Sequence, residues 1–218
     1  MQGWRALAIV PVAAMLWTGP AMAQDDAAED EVNARLVAPA ECVTEPRTVE
    51  DLTAILALDG EGVQAPPLIT ITPPLGEIVD ADTELAINEV TRTVLACFNA
   101  GDIGAAAGLM TENGVKRAYW GVTINEESRT GTIERLQTGP VPRPEDRSVR
   151  LIAVTDASTL PDGRVAAFVV INEPILPPAG PETLLFVFAN QDGQWLIDDW
   201  VDFSIVPADF GAEATPAA

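Results

Sequence analysis

Hydrophobic residues recur with a helical period in the middle of the chain and crowd into strand-like runs near its end. Between residues 82 and 100, one apolar position follows another at intervals of three or four, which predicts a helix. Asp82 or Thr83 is the predicted cap of this helix, and Gly101 is its predicted end. The apolar stripe consists of Ile87, Val90, Val94 and Phe98.

Shorter elements are predicted on both sides of this helix. Thr48-x-x-Asp51 is a capping pattern that begins a helix in the preceding segment. Asp102 is the predicted cap of a short helix over IGAAAGLM. The stretch VKRAYWGVT, residues 115–123, is interpreted as a strand, and residues 126–136 as a further helix.

The last third of the chain reads as four strands rich in Val, Ile and Phe, separated by turn sequences such as LPDG and NQDG. They are residues 148–156, 164–172, 183–190 and 194–203. Helices followed by an antiparallel meander indicate an α+β domain. The second and third strands carry apolar residues on both faces, so we expect the sheet to be covered on both sides. Either a second subunit, giving a homodimer, or the proline-rich segment described below is expected on the outer face.

The first 23 residues have the pattern of a secretory signal peptide. One basic residue precedes an apolar run, and Ala21-Met22-Ala23 forms a small-x-small cleavage site before Gln24. An uncleaved membrane anchor is the alternative, but the apolar run is short for a bilayer span of about 20 residues. We therefore expect a secreted or extracytoplasmic protein with no membrane span after cleavage.

An acidic arm, residues 24–81, separates this leader from the domain predicted at 82–206. Within the arm, VQAPPLITITPPLGEIVD contains two Pro-Pro pairs around an alternating apolar run, which favours an extended strap on a surface over a flexible linker. The start of the arm and a tail at 207–218 are predicted to be disordered.

Cys42 and Cys97 are the two cysteines of the chain, and one lies in the arm and the other in the long helix. In an exported protein an even pair predicts a disulfide, with two free buried thiols as the alternative. Two cysteines without histidine disfavour a metal centre, and no cofactor is expected.

Net charge limits the partners of the protein. The chain has 33 acidic and 12 basic side chains, a formal net charge of −21 and no histidine. Nucleic-acid phosphates would be repelled by such a protein, so the charge argues against nucleic acid as a partner. Missing histidine also removes the commonest general base and the histidine-dependent triads.

The run AINEVTRTVLACFNAGDIGAAAGLMTENGVKRAYWG and the closing DGQWLID resemble the opening and the final hairpin of NTF2-like domains. This superfamily includes the SnoaL-like cyclases and ketosteroid isomerase. The resemblance covers roughly residues 82–203. It implies a cone, in which a curved antiparallel sheet wraps around the helices and leaves a pocket between them. The histidine on which SnoaL-like members often rely is absent, so the resemblance favours a binding module over an enzyme.

Three aromatic or acidic positions are the leading site candidates. Strand alternation places Asp199 with Trp195 and Ile197 on one face of the last strand, which makes it the candidate catalytic carboxylate if that face lines the cone. A bulge that reverses the faces, or an ion pair with an arginine such as Arg117, is the structural alternative. Tyr119 and Trp120 are candidates for stacking on a ligand, although packing against Phe98 or Met110 would use the same residues.

Three classes of function remain open at this point. The first is a non-catalytic module that binds an apolar small molecule or a protein, with Phe98, Met110, Tyr119, Trp120 and Asp199 as the candidate ligand-binding residues. A small-molecule isomerase or lyase that uses Asp199, with Tyr119 as a donor, is the second. The third is a structural subunit that assembles through its sheet.

Overall fold

The structure, a computed structural model, describes residues 35–64, 66–67, 76–174 and 180–202. Within these ranges five helices and six strands form an α+β fold with an antiparallel sheet, which confirms the predicted class. The helices are α1 (Val49–Leu56), α2 (Ala81–Ala100), α3 (Ile103–Gly108), α4 (Glu112–Tyr119) and α5 (Glu126–Thr138). The strands are β1 (Arg35–Leu36), β2 (Glu77–Ile78), β3 (Arg150–Thr159), β4 (Val165–Asn172), β5 (Pro181–Gln191) and β6 (Gln194–Asp202).

Side-chain caps fix where each of the five helices begins. Thr48 accepts a hydrogen bond from the Asp51 backbone N–H at 3.0 Å, and Asp102 accepts one from that of Ala105 at 2.9 Å, so both predicted caps are confirmed. The cap predicted for α2 is wrong by two to three residues. Asp80 accepts from the Thr83 backbone N–H at 2.7 Å, and the helix begins one residue after Asp80.

The predicted strand at 115–123 is wrong. These residues continue α4, which begins at Glu112, and then form a 3₁₀ turn, Trp120–Thr123. Thr111 caps α4 by accepting from the Gly114 backbone N–H at 3.1 Å. Glu112 lies in the first turn and Lys116 in the last turn, and both charges suit the helix dipole.

The sheet has the order β1-β3-β4-β5-β6, with β2 also paired to β3. A bulge interrupts β6, because Val187 pairs with Asp199 while the next residue of β5 pairs with Ile197. Asp198 is therefore the extra residue, and side chains on either side of it change face. The predicted common face for Ile197 and Asp199 is wrong, and the bulge considered as the alternative is what the structure shows.

The inner face of the sheet and the centre of its outer face are buried, in line with the pattern of β4 and β5. The inner face, defined by Ala167, Phe186 and Phe188, packs into the main core with the helices. The outer face is defined by Ala166, Leu185 and Val187, all at most 1% exposed within one chain. Most of the predicted strap, residues 68–75, lies outside the described residues, as do the predicted signal peptide and tail. The homodimer stays a prediction.

The described part of the arm belongs to the same compact unit as the predicted domain. A disulfide joins Cys42 to Cys97 in α2, which confirms the predicted pairing. Arg92 of α2 also forms an ion pair with Glu41. Asn99 is fully buried. Its side-chain amide donates to the Val37 and Val149 carbonyls at 2.9 Å and accepts from the Val149 backbone N–H at 2.8 Å.

Two glycines of α3 allow the arm to approach closely. A Cβ on Gly108 would lie 2.2 Å from the Glu45 carbonyl oxygen, and one on Gly104 would lie 3.0 Å from that of Arg47. Arg47 uses this proximity to donate to the Ala107 carbonyl at 2.9 Å and to the Met110 carbonyl at 2.7 Å. Across the described residues, no helix is both long and apolar enough to cross a bilayer.

Candidate ligand cavity

A cavity of about 440 Å³ lies between the helices and the inner face of the sheet. Its volume is within the range of small-molecule sites in proteins, and most of its wall is apolar. Side chains of β4, β5 and β6 form the floor, and α2 and α4 supply further apolar groups. The main apolar lining residues are Leu95, Phe98, Ala118, Ile171, Leu184, Phe186 and Trp200.

The shape of the floor depends on the bulge in β6. Trp200 pairs with Phe186 across the strands, and their rings stack with centroids 5.5 Å apart. Without the extra residue Asp198, strand alternation would place Trp200 on the outer face. The bulge therefore brings an aromatic ring into the cavity wall.

Tyr119 is the last residue of α4 and lines the cavity, and its hydroxyl is an unsatisfied polar group. Its hydroxyl oxygen is inaccessible to solvent and has no hydrogen-bond partner among the described residues. Burial raises the pKa of Tyr119 well above its ordinary value of 10.0. The nearby positive charge of Arg135 opposes this rise in the pKa, and the negative charge of Asp102 adds to it. The phenol is therefore a neutral donor at physiological pH.

Charged side chains complete the lining, and most of them have partners. Arg143 forms an ion pair with Glu173 at 2.9 Å, and its backbone N–H donates to the Asn99 carbonyl at 2.8 Å. Glu182, which lines the cavity from β5, is buried and also has a partner. Arg135 of α5 is exposed and forms no ion pair with any residue that the structure describes.

A second cavity, of about 410 Å³, lies between the arm, α3 and α5. It shares five lining residues with the first cavity, namely Gly101, Asp102, Ile103, Arg135 and Val141. Arg135 is thus the one basic residue that lines both cavities among the residues described.

Asp199 lies in a different environment from the one expected. It is 2% exposed and pairs with Val187, on the face opposite that of Trp200. Its carboxylate accepts from Arg117 Nε at 2.5 Å, from Arg117 Nη2 at 3.2 Å and from the Trp200 backbone N–H at 2.8 Å. The expected placement of Asp199 on the cavity face is wrong, and the alternative pairing with Arg117 is confirmed.

Arg117 extends this network to the arm. Its Nη1 donates to the Pro66 carbonyl at 3.1 Å, and its Nη2 donates to the Pro67 carbonyl. The same edge of β6 is held by Thr111, whose hydroxyl donates to the Asp198 carboxylate at 2.7 Å. These contacts attach α4 and the arm to the sheet edge.

Two of the other predicted site residues meet in the cavity, and two do not. Phe98 and Tyr119 both line it. Met110 is fully buried in the core and bridges to Ile197, while Trp120 is 38% exposed in the 3₁₀ turn and is not among the lining residues. Arg135 and Trp200 were not predicted as site residues. Arg135 lies on a polar helix that offered no apolar stripe, and Trp200 was assigned to the other face.

The described residues contain no group of three or more Cys, Asp and Glu side chains placed to hold a metal ion. Comparison with protein-family models, with curated proteins and with solved structures finds no match for this chain.

Proposed function

We propose that this protein is an exported, non-catalytic binding module with an NTF2-like cone, and that it takes a small, mostly apolar molecule into the cavity beside Tyr119. The observation that carries the proposal is a cavity with room for a ligand, whose lining residue Tyr119 has a buried hydroxyl without a partner among the described residues. An acceptor on the ligand would complete its hydrogen bonding.

Energetics support this interpretation of Tyr119. A buried polar group left without a hydrogen bond costs about 1–3 kcal/mol. Phenylalanine would avoid that cost at the same position, since it fills nearly the same volume. A hydroxyl retained there is consistent with a role in binding, because functional sites commonly keep groups that reduce stability.

The fold and the disulfide support the remaining parts of the proposal. A long helix, a short helix and a four-stranded antiparallel meander follow one another in the order expected of an NTF2-like domain. An intramolecular disulfide is compatible with an extracytoplasmic location. A non-catalytic role is supported by the position of Asp199, which was the carboxylate proposed for an isomerase or lyase and which is instead paired with Arg117.

Binding of the neutral fluorophore N-phenyl-1-naphthylamine tests the proposal, because its emission rises in apolar surroundings. We expect the protein to bind one equivalent of the dye. Ala118→Phe adds a ring at the cavity wall and should weaken dye binding at least about tenfold, since the ring takes the volume that the dye needs. Ala54→Phe, at an exposed position of α1, is the size-matched control.

Circular dichroism must show that both variants are folded. Equal dye affinity in wild type and Ala118→Phe would contradict the proposal, as would the absence of dye binding to the folded wild-type protein. Turnover of a bound small molecule would contradict its non-catalytic part.

A further inference from the structure

We infer that the ligand of this cavity is an amphipathic carboxylate whose carboxyl group accepts hydrogen bonds from the Tyr119 hydroxyl and the Arg135 guanidinium, with its apolar chain against Phe186 and Trp200. This inference rests on the proposed function, because it names the chemical class of the molecule that the cavity binds.

The two arginines in the cavity wall differ in what they can offer a ligand. The Arg143 guanidinium is committed to Glu173, at 2.9 Å. Arg135 forms no ion pair within the described ranges, so its planar fork of donors is available to a carboxylate. One free cation favours a single anionic group on the ligand.

Arg135 and Tyr119 line the same cavity. Among the charged side chains, Arg135 has the largest effect on the pKa of Tyr119. A guanidinium and a neutral phenol are both donors, and a carboxylate has two oxygens that only accept. An ammonium or an amine would find no matching acceptor at this pair.

Arg135 is exposed and the Tyr119 hydroxyl is buried, so the carboxyl group would lie between solvent and the interior, with one oxygen toward each donor. The oxygen at Arg135 keeps part of its hydration, which reduces the cost of burying the ion. The inner wall is formed by Leu184, Phe186 and Trp200, which suit an unbranched apolar chain. Because Arg135 also lines the second cavity, a bulkier head group has room there.

Local partners reduce the effect of the acidic side chains of the cavity wall on a bound anion. Glu173 is neutralised by Arg143, and the Asp102 carboxylate accepts from the Ala105 backbone N–H at 2.9 Å. Glu182 also has a partner. More distant charges are screened over about 8 Å at physiological ionic strength.

Displacement of N-phenyl-1-naphthylamine by decanoate and by decanamide tests the inference. The two probes have the same chain and a carbonyl acceptor, and only decanoate is charged. We expect decanoate to displace the dye at a concentration at least about tenfold lower than decanamide. Arg135→Gln should abolish this advantage and leave decanamide unchanged. Tyr119→Phe should weaken both probes, since both lose the same donor.

Arg147→Gln is the matched control, because it removes the same charge at an exposed residue outside the cavity lining. If the dye binds but the two probes displace it equally, or neither displaces it, the inference is overturned and the proposed function stands. An Arg147→Gln effect as large as that of Arg135→Gln would also overturn it, because the preference would then reflect net charge. Failure of the dye to bind would overturn the proposed function itself.

Discussion

On the outer face of the sheet, Asp199 accepts three hydrogen bonds, and its partner Arg117 also donates to the Pro66 and Pro67 carbonyls. On the inner face, the Tyr119 hydroxyl has no partner and Arg135 has no counter-ion among the described residues. The two sites lie on opposite faces of the same part of the sheet, because Asp199 and Trp200 are consecutive residues.

This contrast separates a structural site from a binding site. The outer network satisfies buried charges with groups of the protein, so its removal should reduce stability. Asp199 pairs with Val187 of β5, Val187 pairs with Ala166 of β4, and Ala166 pairs with Ser158 of β3. This row of paired residues connects the network to the middle of the sheet. The inner groups contribute nothing comparable to folding, so their removal should affect ligand binding instead.

Arg117→Met is expected to have the largest effect on stability. The substitution leaves the Asp199 carboxylate, whose side chain is 3% exposed, without its counter-ion. Loss of one member of a buried ion pair costs about 3–5 kcal/mol. Urea denaturation should show this loss in the free energy of unfolding, whereas the affinity for N-phenyl-1-naphthylamine of the protein that remains folded should not change.

The double variant Arg117→Met/Asp199→Asn is the control for this prediction. It removes both charges and should recover part of the lost stability, because no buried charge is left unpaired. A loss below about 1 kcal/mol for Arg117→Met would show that the pair is dispensable, which would remove the structural half of the comparison.

Asn99→Ala should have the next largest effect. Its amide satisfies three buried backbone groups, those of Val37 and Val149, and alanine satisfies none of them. Since each unsatisfied buried group is costly, we expect a loss of about 2–3 kcal/mol in the free energy of unfolding. Asn88→Ala, at a half-buried position of the same helix where the amide donates only to the Glu84 carbonyl, should change it by less than about 0.5 kcal/mol. Similar losses for the two variants would contradict the role given to Asn99.

Tyr119→Phe should have a smaller effect, and one of opposite sign. Removing a buried hydroxyl without a partner relieves its desolvation, so the free energy of unfolding should stay the same or rise by up to about 1 kcal/mol. Urea denaturation of the variant beside the wild type measures this difference. A loss of 1 kcal/mol or more would show that the hydroxyl is already satisfied in the free protein, which would contradict its assignment to the ligand.

Sequence patterns were sufficient for elements whose signal is local. The stripe on α2, the caps at Thr48 and Asp102, the disulfide and the four long strands were all predicted, because periodicity, capping and cysteine pairing each leave a local trace. The strand predicted at 115–123 failed because a run of nine residues is too short for its apolar positions to distinguish the helical period from the strand period. The Thr111 side chain caps a helix there by accepting a hydrogen bond from the Gly114 backbone N–H.

The face of Asp199 could not be predicted because it depends on one extra residue. Alternation in β6 is regular until Asp198, and nothing in the sequence marks that position as a bulge. One inserted residue exchanges the faces of all the residues after it, which moved Asp199 out of the cavity wall and Trp200 into it. Arg135 was missed for a different reason, since a lone cation on a polar helix becomes informative only when the fold shows that it has no partner.

The titration of Tyr119 tests whether the hydroxyl on the inner face is buried and unsatisfied, unlike the network on the outer face. The chain has a single tyrosine, so tyrosinate absorbance in the near ultraviolet reports on this residue alone. Burial raises the pKa of Tyr119 above its ordinary value of 10.0, and Arg135 partly opposes that rise in the pKa. At a pH of about 11, nine-tenths of a free tyrosine is ionised, whereas the folded protein should show almost no tyrosinate.

Because the folded state holds this proton more tightly than the unfolded state, Tyr119 does not affect stability below a pH of about 10, and stability falls as the pH rises above that value. The protein in urea should titrate near the ordinary pKa and serves as the reference. Arg135→Gln should raise the pKa of Tyr119 further, since it removes the positive charge that favours the phenolate, and Arg147→Gln should leave it nearly unchanged. Ionisation near pH 10 in protein that is still folded would mean that the hydroxyl is solvated, and the inner face would then lack the unsatisfied donor that distinguishes it from the outer one.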